Sequence, residues 1–239
     1  MGVISRMRED IQMVLDHDPA ARSAIEVVLA YPGIHAIWIY RVAHSLWNHN
    51  FKLTARVLTE LSRFLNAIEI HPGAQIGRRL FIDHGLGVVM GETTEIGDDV
   101  LIYQGVTLGG TSLKKEKRHP TIEDNVMISS GAAVIGPVTI GRGSRIGAGA
   151  VVVSSAPPYS TIVGIPGKVI EGQSAKTDVV QLDHAKLPDP VARAMTTLVD
   201  KLNVLTARLG EIEERQDCLE DKVSEHHPES ENGIAVNKG

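Results

Sequence analysis

Several things are scarce in this sequence, and each scarcity excludes something. Cys218 is the single cysteine among 239 residues. No disulfide framework can form within the chain, and a reducing compartment is compatible. Basic residues are in deficit, 24 Lys and Arg against 29 Asp and Glu, for a net charge of −5. That balance argues against a nucleic-acid partner. No apolar run approaches the roughly 18 residues of a membrane-spanning helix. The opening MGVISRMREDIQ contains acidic residues and no apolar h-region, so neither a signal peptide nor a membrane partner is expected. A cytoplasmic location follows as the expectation. What remains is 43% hydrophobic and 22% charged, enough for one large domain or two modest ones.

What is present is a six-residue rhythm from Ile70 to Val152. An aliphatic beat falls on Ile70, Ile76, Ile82 and Val88, then on Ile96, Ile102 and Leu108. It returns on Ile122, Ile128, Val134, Ile140, Ile146 and Val152. Four residues after most beats comes a second small or aliphatic residue, among them Ala74, Leu80, Leu86, Val100, Val106 and Val126. A fixed short period means stacked, quasi-one-dimensional architecture. Six does not match the three-and-four spacing of a helix face. It fits short strands joined by tight turns, three to a coil, with beat residues stacking inward. A narrow prism of this kind takes Ile and Val more readily than Trp, in keeping with an aromatic content of only 4%.

The rhythm breaks twice. Two extra residues are expected around Gly91-Glu92-Thr93-Thr94, and Thr111 to Pro120 is an insertion carrying Lys114, Lys115, Lys117, Arg118 and His119. A loop expelled from a regular solenoid is a common place for function. Residues 1–68 read as a helical domain. Asp18-Pro19 is expected to start a helix, and Val57, Leu61, Phe64, Leu65 and Ile68 share one helix face. These helices are expected to pack on one end of the prism or against other copies. Residues 69–170 form the β-helix and 171–188 a polar linker. From Val191 a 4-3-4-3 alternation runs through Met195, Leu198, Leu202, Leu205, Leu209, Ile212, Gln216, Leu219 and Val223. It predicts a self-associating coiled-coil helix over 189–226. A disordered tail is expected over 227–239. The fold class is mainly β with α.

Three pieces carry chemistry: Glu69-Ile70-His71-Pro72, Phe81-Ile82-Asp83-His84-Gly85 and Arg118-His119-Pro120. Glu69 and His84 are nearly one coil apart, so the carboxylate is expected to approach the imidazole from the adjacent coil or across a subunit boundary. A carboxylate beside an imidazole fixes its tautomer and raises its basicity. A histidine so placed can take a proton from a hydroxyl attacking a carbonyl.

Read together, EIHPGAQIG, FIDHGLGVVMGETTEIGDDV, YQGVTLGGT, KRHPTIEDNV and VGIPGK resemble the serine acetyltransferases of the hexapeptide-repeat acyltransferase superfamily. The likeness covers roughly Asp18 to Val169. It implies a left-handed parallel β-helix and transfer of acetyl from acetyl-CoA to the hydroxyl of L-serine, the first step from serine to cysteine. It implies His84 as catalytic base with Glu69 as its carboxylate partner, where much of the family has Asp. Asp18 and Asp83 would hold the serine amino group. Arg118 would pair with the serine carboxylate, with His119 beside it. Acetyl-CoA would run past Gly109, Gly110, Ser130 and Ala148, with Lys168 a candidate for its phosphates. No permanent cofactor and no metal site are expected. The close His-x4-His pair associated with zinc on this fold in γ-type carbonic anhydrases is absent.

The resemblance also implies a homotrimer, in many relatives paired into a dimer of trimers. O-acetylserine sulfhydrylase is a further implied partner, docked through a C-terminal Ile. Here the last residues are Asn237-Lys238-Gly239 and Ile234 is internal, which weighs against that contact. Rival readings are an acetyltransferase for a sugar or antibiotic, and a non-enzymatic scaffold. The pairing of acids with Arg118, suited to a zwitterion, favours serine.

Overall fold

The structure is a computed structural model describing residues 2–170, 198–210, 212 and 215. The chain divides into two units, Met1–Pro188 and Asp189–Gly239. The expected linker and terminal tail lie outside the described residues. The expected coiled coil is described only at 198–210, 212 and 215, which are helical.

The first unit opens with four helices: α1 (Val3–His17), α2 (Ala24–Ala30), α3 (Pro32–Asn48) and α4 (Lys52–Asn66). Pro32 occupies the first turn of α3, where its missing N–H costs nothing. Ser23 caps α2 by accepting the Glu26 N–H. Asp18 does not start a helix. It ends α1, and its carboxylate accepts the Ala20 N–H in a local turn. A short Asp side chain favours such turns as readily as it favours an N-cap, and the sequence did not distinguish them.

Fifteen short strands follow among the described residues. The first face of a left-handed prism stacks β1 (Glu69–Ile70), β4 (Val89–Met90), β7 (Thr107–Gly109), β10 (Ala133–Ile135) and β13 (Val151–Val152). The second stacks β2 (Gln75–Ile76), β5 (Glu95–Ile96), β8 (Thr121–Ile122) and β11 (Thr139–Ile140). The third stacks β3 (Phe81–Ile82), β6 (Leu101–Ile102), β9 (Met127–Ile128), β12 (Arg145–Ile146) and β14 (Thr161–Val163). An antiparallel β15 (Lys168–Ile170) closes that face. All other pairings are parallel, with inward residues in register from coil to coil: Ile82 on Ile102 on Ile128 on Ile146. These residues form one continuous core.

The register corrects the position of one break. Ile70 pairs with Met90, and Met90 with Leu108, so the inward residue of β4 is Met90 and not Val88. The two extra residues therefore lie in the turn Asp83 to Val88, between the third face and the first. The turn at 91–94 is regular. Val88 is buried at a corner and Leu86 is exposed. Both residues are aliphatic, so the frame could slip by two without changing the pattern. The larger insertion lies, as expected, between β7 and β8.

The helices pack where the prism is apolar outside as well as inside. Phe81, Leu101 and Met127 point outward from the third face and are buried beneath Met13, Val14, Val27 and Ile34. Ala36, Ile37 and Tyr40 of α3 join the prism core instead, and the Tyr40 hydroxyl donates to the Ala74 carbonyl at 2.6 Å. A Cβ on Gly33 would collide with the Ile82 backbone, so glycine lets α3 dock this closely. Asp10 is buried and paired with Arg41, with Trp38 donating a third hydrogen bond. The apolar face of α4 does not turn inward. Val57, Leu61, Phe64 and Leu65 are exposed, whereas Ile68 lies beyond the helix and is fully buried. No helix among the described residues is long and apolar enough to cross a membrane.

Truncating a stacked inward residue should be costly, whereas an exposed loop residue should matter little. Ile128→Ala is expected to lower unfolding free energy by about 3 kcal/mol. Leu113→Ala, at a fully exposed position in the insertion, should change it by less than about 0.5 kcal/mol. Urea unfolding of both variants at one protein concentration checks the contrast.

Candidate active site

Two edges of the prism collect the candidate side chains. The first lies between the third and first faces, where the Asp83–Val88 turn bulges outward. His84 sits at φ 58°, a left-handed conformation uncommon for a residue with a Cβ, and Gly85 follows at φ 79°. The turn is pinned by backbone hydrogen bonds from Gly85 to Asp83, from Gly87 to Ala67, and from Gly105 to Leu86. The bulge holds the His84 side chain out in solvent, 72% exposed, while Asp83 keeps only 20% exposure. His84 Nε2 lies 4.0 Å from Asp83 Oδ2.

Asp18 joins this edge from the helices. The Tyr31 hydroxyl donates to its Oδ2 at 2.5 Å. Burial, and then the bond to Asp18, push the Tyr31 hydroxyl up to about 12. Tyr103, one coil above Asp83, is likewise pushed to about 12 by burial and by the charges of Asp83 and Asp18. Burial raises the Asp83 carboxyl above the ordinary aspartate value. His84 opposes that shift and Asp18 adds to it. This is an acidic pocket that a cation would relieve.

The second edge lies between the first and second faces. There the insertion returns through Arg118 and His119 against the Gly91–Thr94 turn. The Arg118 Nη2 donates to Glu92 Oε2 at 2.6 Å. Burial pushes the Glu92 carboxyl up, but the bond to Arg118 and the neighbouring positive charges outweigh it, and the net shift is downward. Thr93 Oγ1 accepts the backbone N–H groups of both Arg118 and His119, at 3.1 Å each. Its own proton then points to His119 Nδ1 at 2.9 Å, which also accepts the Thr93 N–H. These partners put the imidazole proton on Nε2. Burial, followed by the Arg118 charge, lowers the affinity of His119 for a second proton. A neutral ring therefore presents an Nε2–H donor. A Cβ at Gly91 would fall on that ring, and one at Gly110 would lie 3.0 Å from Nε2. Deeper at the same edge, burial pushes His71 down to about 4, and its Nδ1 accepts the Gly73 N–H.

Of the residues predicted from sequence, the structure brings together Asp18, Asp83 and His84 at one edge and Arg118 and His119 at the other. Within one chain it does not join the two sets. Glu69 faces outward on β1, beside a cleft of about 510 Å³ shared with Arg63, Phe64 and Leu86. Among the described residues its ion pair is with Arg63, at 3.9 Å, and none forms with His84. Ser130 and Ala148 lie in turns above His84 on the first edge, whereas Gly109 and Gly110 lie beside His119 on the second. Lys168 is exposed on β15. In the insertion, Lys117 is engaged by Glu95 and the Thr93 carbonyl, while Lys114 and Lys115 are exposed. Sequence reasoning gave no role to Tyr31, Glu92, Thr93 or Tyr103. Glu92 and Thr93 stood inside a quoted motif, and their part as supports for Arg118 and His119 emerges only from contacts across the insertion. No group of three or more His, Cys, Asp or Glu side chains among the described residues is arranged to hold a metal ion.

The family model for the bacterial transferase hexapeptide (six repeats) matches residues 119–154. Serine acetyltransferase from Bacillus subtilis (strain 168) is 53% identical over 211 residues, covering 87% of this chain and 96% of that one. Serine acetyltransferase from Neisseria gonorrhoeae, solved in complex with serine, superposes with a TM-score of 0.66 at 37% identity, over 69% of this chain and 68% of that one. A serine acetyltransferase solved in complex with CoA gives a TM-score of 0.67 at 41% identity, over 70% and 69%. A β-helix whose two expelled turns carry acids and an imidazole on one edge and a guanidinium on the next, with relatives this near along most of its length, belongs to the serine acetyltransferase family.

Proposed function

We propose that His84 is the catalytic base of this chain and that its active site is completed by a second copy of the chain. The reaction is acyl transfer from acetyl-CoA to the hydroxyl of L-serine, giving O-acetyl-L-serine and CoA on the way from serine to cysteine. Acetyl-CoA is a co-substrate, not a resident cofactor.

The observation that carries the reading is the division of the serine-binding groups between two edges. A prism face lies between those edges, and three strand residues alone span roughly 10 Å. The ammonium and carboxylate of one serine are only about 3 Å apart. Asp83 with Asp18, and Arg118 with His119, therefore grip the same serine when the first edge of one prism meets the second edge of its neighbour. Such an arrangement is head-to-tail, and closure as a ring gives a homotrimer. Acetyl-CoA in the same groove meets Ser130 and Ala148 from one side and Gly109 and Gly110 from the other. Small side chains there leave room for the pantetheine arm, and Lys168 is available to its phosphates. The uncovered apolar face of α4 supports burial against further copies, including pairing of trimers. The reaction needs only soluble substrates, in keeping with a cytoplasmic location.

In the step itself, His84 takes the serine Oγ proton as Oγ attacks the thioester carbonyl. The tetrahedral intermediate expels the CoA thiolate, which recovers the proton from His84. Backbone N–H groups of the groove stabilise the oxyanion. Arg118 keeps its bond to Glu92 and offers its remaining donors to the serine carboxylate, and His119 adds its Nε2–H. Glu69 acts as a positioning carboxylate for the imidazole from across the cleft.

His84→Ala should lower kcat about 10²–10⁴-fold with the fold intact by circular dichroism. Near-normal turnover would remove His84 from its role. The shared site has its own test. Chains carrying His84→Ala and chains carrying Arg118→Ala are unfolded together, mixed equally and reassembled. Random pairing leaves about a quarter of the sites with both groups intact, so activity should return to about a quarter of wild type. A mixture no more active than its parents would place both groups in one chain. A third test uses pH. Burial keeps the proton on Asp83 to higher pH than an ordinary aspartate, and the protonated form cannot pair with an ammonium. The KM for serine should therefore rise on acidification, beginning above the usual aspartate range, and should be high at every pH in Asp83→Asn. A wild-type KM that stays flat through that range would exclude Asp83 as the ammonium ligand.

A further inference from the structure

Asp18 reaches the first edge from the loop between α1 and α2, whereas Asp83 belongs to the prism, directly after β3. Two carboxylates brought from separate elements can serve one ammonium only if something fixes the gap between them, since their mutual repulsion alone would widen it. Both oxygens of Asp18 are held. Oδ1 accepts the Ala20 N–H at 2.8 Å, and Oδ2 accepts the Tyr31 hydroxyl at 2.5 Å. The two bonds differ in what they fix. Ala20 sits in the same loop and moves with it, so its bond shapes the local turn without placing that turn on the prism. Tyr31 stands 13 residues on, between α2 and α3, and its ring is anchored outside the loop.

That anchor is the outer apolar strip of the third face. Tyr31 and Tyr103 both pack against the cluster that includes Phe81, Leu101 and Met127. Phe81 lies two residues before Asp83, and Tyr103 two residues after Leu101. Gly33, two residues after Tyr31, approaches Ile82 so closely that a Cβ would collide with its carbonyl oxygen. Tyr31 is thus fixed against the very strand that delivers Asp83, and its hydroxyl carries that position over to Asp18. The charges of both acids act on the Tyr103 hydroxyl, in keeping with two carboxylates gathered near one ring. Tyr40 shows what a purely structural phenol does in this chain: its hydroxyl is buried and donates to a backbone carbonyl. Tyr31 gives its proton to a carboxylate instead.

We propose that Tyr31 is a positioning residue for serine, holding Asp18 at the spacing from Asp83 that lets the two carboxylates share one ammonium. The inference rests on the reading of Asp18 and Asp83 as ammonium ligands. Tyr31 acts through Asp18 and does not itself touch the substrate. A carboxylate has about four lone-pair sites, so the bonds from Tyr31 and Ala20 leave room on Asp18 for an ammonium N–H. A group held in place before the substrate arrives loses less freedom on binding, so the benefit falls on affinity for serine and not on the chemical step.

The test is a double-mutant cycle on the full chain, comparing wild type, Tyr31→Phe, Asp18→Ala and the two together by steady-state kinetics. Phenylalanine keeps the ring on the apolar strip and every backbone hydrogen bond of residue 31, so only the hydroxyl is lost. Tyr31→Phe should raise the KM for serine roughly tenfold, the effect of removing one hydrogen bond to a charged group. The kcat and the KM for acetyl-CoA should stay near wild type. In the Asp18→Ala background the same change should move the KM for serine by less than about twofold, because the hydroxyl then has nothing to orient. An unchanged KM for serine in Tyr31→Phe would overturn the proposal. So would an equal rise in both backgrounds, which would mean that the hydroxyl acts on packing and not through Asp18. Asp18→Ala reports separately on the reading beneath: a normal KM for serine in that variant would remove Asp18 as an ammonium ligand and the inference with it. Failure of Tyr31→Phe alone overturns the positioning role and leaves that reading standing.

Discussion

A strand of two residues has no stability of its own. Each piece of this prism exists because the piece one coil below offers its backbone groups in register and its side chain as a floor. The ladder is the constraint from which the rest follows. Ile82, Ile102, Ile128 and Ile146 each complete the packing of the next, so the column tolerates little change of shape inside. It tolerates a great deal at its corners, where turns reach solvent. An insertion there leaves the paired strands above and below undisturbed.

The chain places its chemistry at those corners. Two extra residues at the first edge push His84 outward in a left-handed conformation and leave Asp83 within electrostatic reach of Asp18 and Tyr31. The longer insertion at the second edge folds back so that Thr93 can hold both Arg118 and His119. Each expelled turn is anchored by the regular coil beneath it. His84 thus gains exposure, while the backbones of both turns remain tied to a rigid support.

The electrostatics of the two edges are complementary, and each is uncomfortable alone. Burial, with the Asp18 charge adding to it, raises the Asp83 carboxyl at the first edge, and at the second Arg118 is bound to Glu92. In the proposed site a zwitterion would sit between them, its ammonium towards the acids and its carboxylate towards the guanidinium. A sugar has neither charge.

Periodicity made the prism, its inward residues and its large insertion legible in the sequence, because a six-residue repeat admits few other structures. The family resemblance singled out Asp18, Asp83, His84, Arg118 and His119 as candidates, and the structure gathers them at two edges of the prism. The sequence did not decide which of Val88 and Met90 faces inward, since both are aliphatic and only the pairing with Ile70 and Leu108 tells them apart. Nor did it reveal that Phe81, Leu101 and Met127 form an outer apolar strip for the helices, because each directly precedes an inward isoleucine and adds no period of its own. The roles of Tyr31, Glu92 and Thr93 needed contacts between residues distant in the chain. The sequence by itself determined the column and the chemical inventory, because local period and residue type suffice for both. Only the tertiary structure decided on which edge each group stands, because that depends on how many residues each turn holds out of the ladder.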